Sequence, residues 1–130
     1  MAVYTVFDKI TELKKTYGQM LEATTKEWKL CSACPEKQDD IGNMLGLPLS
    51  VYAESANWQV DALQSCLLFM DEEPATDIMH RWCMSIARQV EAIIEAEEPI
   101  ALYELSHLMH TIRGTINWLD TLEDHFKHAD

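Results

Sequence analysis

Apolar residues recur along this chain in steps of three and four, the spacing that lines one face of an α-helix. Val3, Val6, Ile10, Leu13, Tyr17, Met20, Thr24 and Trp28 form one such stripe and predict a long amphipathic helix over residues 3–30. Gly18 lies inside it and weakens it by about 1 kcal/mol relative to alanine without breaking it. Leu49, Tyr52, Ala56, Val60, Leu63, Leu67 and Met70 mark a second helix over residues 49–70. That helix carries a further apolar set, Val51, Trp58, Ala62, Cys66 and Phe69, and so wide an apolar face predicts a central position in the fold. Met79, Trp82, Ile86, Val90 and Ile93 place a third helix over residues 75–97. Leu102, Leu105, Met109, Ile112, Ile116, Leu119 and Phe126 place a fourth over residues 100–127.

The links between these stripes are unequal. Pro74 suits the first turn of the third helix, where the preceding acids meet the positive end of the helix dipole. Pro99 breaks the chain again after Glu97 and Glu98. Residues 31–48 differ, with Pro35, Pro48, Gly42, Gly46 and a charged cluster. They predict one long connection carrying a short extra helix, capped by Asp39 or Asp40 and ended by Gly46. Strand alternation and glycine-based hairpin turns are lacking. The expected fold is all-α, a four-helix bundle with one long connection (residues 31–48), forming a single domain over residues 1–130.

Composition narrows the function. A chain of 130 residues with 48% hydrophobic content suits one domain with one core. The longest apolar run, Cys66 to Met70, is too short for a bilayer, and "MAVYTVFDKI" lacks the basic start of a secretory signal. A cytoplasmic protein with reduced thiols is expected. The net charge is -12, from 22 acidic and 10 basic residues. Residues 1–35 carry five lysines against four acids, residues 36–80 nine acids against one lysine, and residues 89–112 five acids and no base. Phosphates and anionic membrane surfaces would be repelled, so direct nucleic-acid or membrane binding is not expected.

Candidate chemistry begins with metal. Cys31 and Cys34 form a C-x-x-C pair, and His80 and Cys83 a second pair of zinc-ligand type and spacing. The pairs can meet only if the long connection crosses the bundle; in a simple up-and-down order they lie at different heights. The turn near residue 72 places Cys66 opposite about Met79, close to His80 and Cys83, where the three read as core. Glu104 with His107, and Asp77 with His80, fit the E-x-x-H spacing of carboxylate-bridged iron, but at different levels of the bundle. His107 with His110 suits packing at the core boundary, and His125 with His128 a helix C-terminus.

No phosphate loop, G-x-S-x-G or H-E-x-x-H is present, and no catalytic site is expected. Glu91, Glu95 and Glu98 resemble the acidic helices that bind magnesium, yet the opposite helices offer few converging carboxylates and few basic groups for phosphates, and a solvated face explains them. The acids themselves are the stronger clue. Glu36, Asp39, Asp40, Asp71, Glu72, Glu73 and Asp77, with Glu91, Glu95 and Glu98, are the candidates for a negative face offered to a basic partner. Such a face can occupy the phosphate track of a nucleic-acid-binding protein, as DNA mimics do. The expected function is thus a small acidic, non-enzymatic protein-binding regulator or inhibitor. A zinc-binding bundle is one alternative. A homodimer or chaperone working through apolar faces is another, since Phe7, Val51, Trp58, Phe69, Leu108 and Trp118 exceed what one small bundle must bury.

Overall fold

The computed structural model describes residues 2–33, 41–96 and 102–128. They form four helices, α1 (Ala2–Ala33), α2 (Ile41–Phe69), α3 (Glu73–Ile94) and α4 (Leu102–Lys127), with no strand among the described residues. The helices pack as a ring in chain order, each against its two neighbours, with α4 closing on α1. Side-chain pairs give the directions. Gln64 meets Thr76 and Asn57 meets Cys83 between α2 and α3, so these run antiparallel. Gln89 meets Thr111 between α3 and α4, and Lys14 meets Asp120 between α1 and α4. The order is up-down-up-down, as expected for a bundle with short links.

The inward stripes are the predicted ones. Val6, Ile10, Leu13, Tyr17 and Met20 of α1 are buried, as are Leu49, Ala56, Val60, Leu63 and Leu67 of α2. Met79, Ile86, Val90 and Ile93 of α3 meet Leu105, Leu108, Ile112, Leu119 and Phe126 of α4 in the same core. Buried threonines satisfy themselves locally: Thr24 donates to the Met20 carbonyl at 2.8 Å and Thr115 to that of Thr111 at 2.8 Å. Each hydroxyl thus enters the core without an unpaired donor.

The connection between α1 and α2 is shorter than residues 31–48. Cys31, 1% exposed, extends the α1 stripe one step beyond Trp28, and α1 runs on to Ala33. The short extra helix is the beginning of α2, which passes through Gly46 and Pro48 without a stop. Proline inside a helix removes a hydrogen bond and costs about 3 kcal/mol. Leu45 and Leu49, on either side of it, are both fully buried and offset that cost at about 1.5–3 kcal/mol each. Asp39 and Asp40, expected as helix caps, lie outside the described residues.

The position of α2 also differs from expectation. It packs on α1 and α3 rather than sitting at the centre. Its second apolar set divides: Cys66 packs at the edge of the core, while Val51, Trp58 and Phe69 are 51%, 72% and 81% exposed. At about 100° per residue these three share one line down α2, opposite the buried line of Ala56, Val60 and Leu67. A stripe of apolar residues is therefore left on the outside of the bundle.

The α2–α3 link is a tight turn of defined geometry. Glu72 N–H donates to the Leu67 carbonyl at 2.8 Å, and Asp71 N–H to that of Leu68 at 3.1 Å. This is the Schellman pattern, which needs a left-handed residue at its first position beyond the helix. Asp71 fills that position with φ of 61°, where glycine is the usual choice. Pro74 then opens α3 within its first turn, as its fixed φ favours.

Candidate protein-binding surface

The metal hypothesis is corrected by topology. The Tyr17 hydroxyl of α1 lies beside the Cys83 thiol of α3, which sets the two helices level at that point. Cys31 lies about 21 Å further along α1 by helical rise. It is sealed in the core at one end of the bundle, while His80 is exposed and lies nearer the other. Cys34 is outside the described residues. The expected cluster of Cys66, His80 and Cys83 does not form either. The α2–α3 register puts Cys66 level with about Pro74 rather than Met79, because the two helices pair about a centre near residue 70 and not residue 72. Among the described residues, no three His, Cys, Asp or Glu side chains converge to hold a metal ion.

Cys83 belongs instead to a polar contact inside the bundle. Its thiol donates to Asn57 Oδ1 at 3.6 Å, and the buried Tyr17 hydroxyl lies beside it. Burial pushes the thiol above its ordinary value, and burial likewise pushes the Tyr17 hydroxyl up, with the neighbouring Cys83 adding to it. Neither group is poised to ionise, which is the reverse of what a nucleophilic or metal-binding thiol requires. The histidines are also apart. With Gln89 bonded to Thr111 at 2.9 Å, His80 lies level with about residue 120 and His107 with about residue 93. Both border one open groove of about 440 Å³ beside Arg81 and Arg88, but at its two ends.

The acids separate into two groups. Asp71, Glu73 and Asp77 are exposed around the α2–α3 turn, with Glu72 half-buried among them. Glu91 and Glu95 are exposed at the other end of α3, about 21 Å or more from Asp77 by helical rise. Glu36, Asp39, Asp40 and Glu98 lie outside the described residues. Among the described residues, the candidate acids thus form two patches at opposite ends of α3.

The lysines Lys14 and Lys127 pair with acids of α4. Lys14 Nζ meets Asp120 at 2.6 Å and Glu123 at 3.7 Å, and Lys127 meets Glu123 at 3.4 Å. The hydrogen bond to Asp120 raises the Lys14 ammonium above its ordinary value despite partial burial. At the turn itself, Glu72 alone among the described residues makes an ion pair, with His125 at 3.4 Å. Asp71, Glu73 and Asp77 are left to solvent.

Sequence reasoning placed the outward residues of α2 both on a wide apolar face that predicted a central helix and among the apolar residues in excess of the core. The signal that separates them is the company they keep, because Glu54, Ser55, Asp61 and Ser65 occupy the same side of the helix. The left-handed Asp71 carries no signal in the chain, since glycine would normally announce it. No described helix is long and apolar enough to cross a membrane. Comparison with protein families, with curated proteins and with solved structures finds no match to this chain.

Proposed function

We propose that this chain is a small, non-enzymatic protein-binding regulator that offers the acidic α2–α3 turn to a basic partner protein. The observation that carries this reading is Asp71. A charged residue holds a left-handed backbone position that glycine would fill at lower cost, and it does so in an acidic turn whose Asp71, Glu73 and Asp77 are exposed. Strain kept at a surface site is a pointer to use. With a net charge of -12 over the chain, the partner's approach is steered electrostatically and weakens as salt rises. A groove that binds nucleic acid has the matching charge.

The test is affinity capture of partners from the source cells with wild-type protein and with Asp71→Gly, Glu73→Gln and Asp77→Asn variants. The reading expects a partner that is retained at low salt, released at moderate salt and lost with the neutralised turn. Capture indifferent to both salt and these variants removes the acidic turn as the binding surface. A second reading, an adaptor that assembles through apolar surface, is favoured by the exposure of Trp58 and Phe69.

A further inference from the structure

The outward line of α2 has an order of its own. Val51, Ser55, Trp58, Ala62, Ser65 and Phe69 follow one another along about 27 Å of helix. The order is self-complementary about its middle. A two-fold axis level with Val60 sets Trp58 against Ala62 of a second copy, Phe69 against Val51 and Ser55 against Ser65. In each apolar pair a large ring meets a small side chain, as knobs meet holes where helices pack closely. Parallel pairing would instead stack Trp58 on Trp58 and Phe69 on Phe69, leaving Ala62 facing Ala62 across a void. An isologous contact of this kind is the commonest route to a symmetric dimer.

We propose that α2 is the interface of an antiparallel homodimer, in which Trp58 of each copy seats beside Ala62 of the other. The surface is independent of the acidic turn, which lies beyond the end of this line. A helix pair of this length buries of order 1,000 Å² over both copies, at the low end of specific interfaces, so the dimer forms and dissociates with concentration.

The response to salt separates a second copy from a basic partner on this face. Helix α2 contains no lysine or arginine, and its acids Glu54 and Asp61 are exposed beside the apolar line. In the dimer the two Asp61 carboxylates come to about 10 Å of each other at ordinary helix spacing. They repel, so salt tightens the dimer, and removing the charge tightens it by about twofold. A basic partner on the same face would behave in the opposite way.

Sedimentation velocity on the full chain, from low micromolar to millimolar concentration, tests this. The expected result is a reversible dimer that tightens between low and high salt. Trp58→Ala and Ala62→Gln weaken it by about tenfold or more, and Asp61→Asn tightens it. Trp58 is exposed and the half-buried Ala62 lies on the same outward line, so the variants retain the helicity and unfolding midpoint of the wild type, which circular dichroism checks. A monomer at every concentration overturns the proposal, as does a dimer that Trp58→Ala and Ala62→Gln leave intact. Tightening by Asp61→Asn marks self-pairing; loosening overturns it. If the dimer forms but partner capture ignores the turn variants, the acidic-turn reading alone falls.

Discussion

Tyr17 reaches across the diagonal of the bundle to lie beside Cys83, and the Cys83 thiol in turn donates to Asn57, so three helices meet at one polar cluster. Tyr17 is 1% exposed, and its hydroxyl has been taken out of water beside that thiol. A buried polar contact of this kind contributes about 0.5–1.5 kcal/mol net. Tyr17→Phe keeps the ring and removes the hydroxyl. It should lower stability by about 1 kcal/mol, seen as a lower urea midpoint at unchanged slope. An unchanged midpoint would mean that the contact fixes only the alignment of the helices.

The same pair makes the fold sensitive to alkali. Burial raises Cys83 above the ordinary thiol value of 9.0, and burial together with Cys83 raises Tyr17 above 10.0. Once pH passes 9.0 the unfolded chain gives up protons that the folded chain retains. The folded state then binds more protons than the unfolded state, so stability falls as pH rises. The stabilisation is fully present below pH 9.0 and is lost through the raised folded values. Urea unfolding on both sides of pH 9.0 should show a level region and then a decline, and Cys83→Ala should flatten the first part of the decline. Stability that rises across this range would contradict the assignment.

Two glycines in helix interiors should respond in opposite directions to alanine. A Cβ at Gly18 meets nothing within 4 Å. Gly18→Ala should therefore gain about 1 kcal/mol from helix propensity and the lower entropy of the unfolded chain. A Cβ at Gly114 would sit 2.8 Å from Trp82 Cη2 and 3.1 Å from Cζ3. The indole must shift at the thinnest seam of the bundle, and overpacking of this kind costs about 1–3 kcal/mol. Gly114→Ala should lower the thermal midpoint while Gly18→Ala raises it. A gain at both positions would show that Trp82 moves aside freely.

The four core stripes are legible in the chain because helical period alone selects which residues share a face. Period does not reveal which of two apolar faces finds a neighbour. Val51, Trp58 and Phe69 have the same spacing as a core set, and only the ring arrangement of the helices leaves them outside. Local stop signals mislead in the same way. Pro48 and Gly46 argue for a break, yet the burial of Leu45 and Leu49 carries α2 through them. The candidate site was legible as composition and not as geometry. Charge counting finds the acids, but only the length of α3 shows that Asp77 and Glu91 stand at opposite ends.

The spacing of Cys31/Cys34 and His80/Cys83 resembles a zinc site only until the helices are given directions. With Tyr17 and Cys83 level, Cys31 and Cys83 cannot share one ion. Zinc or a chelator should leave the thermal midpoint unchanged. A metal held by four protein ligands in the folded state alone would raise it by many degrees. Calorimetry with and without zinc distinguishes the two, and a large zinc-dependent rise would require a different path for α3.

Asp71 offers a way to separate folding from binding. At φ of 61° an aspartate pays for a conformation that costs L-residues about 1–2 kcal/mol and glycine nothing. Part of the relief in Asp71→Gly is returned to the greater freedom of the unfolded chain, leaving a net gain of about 0.5–1 kcal/mol. The variant also removes one charge from the exposed turn. If the turn receives a basic partner, Asp71→Gly should raise the unfolding midpoint and weaken partner retention in the same protein. Destabilisation cannot produce that combination, because lost binding would accompany a firmer fold. Asp71→Asn completes the comparison, since asparagine tolerates the left-handed backbone and lacks the charge. Its retention should match that of Asp71→Gly, with a midpoint nearer the wild type. Full retention by Asp71→Asn would show that charge at this turn is not what the partner reads.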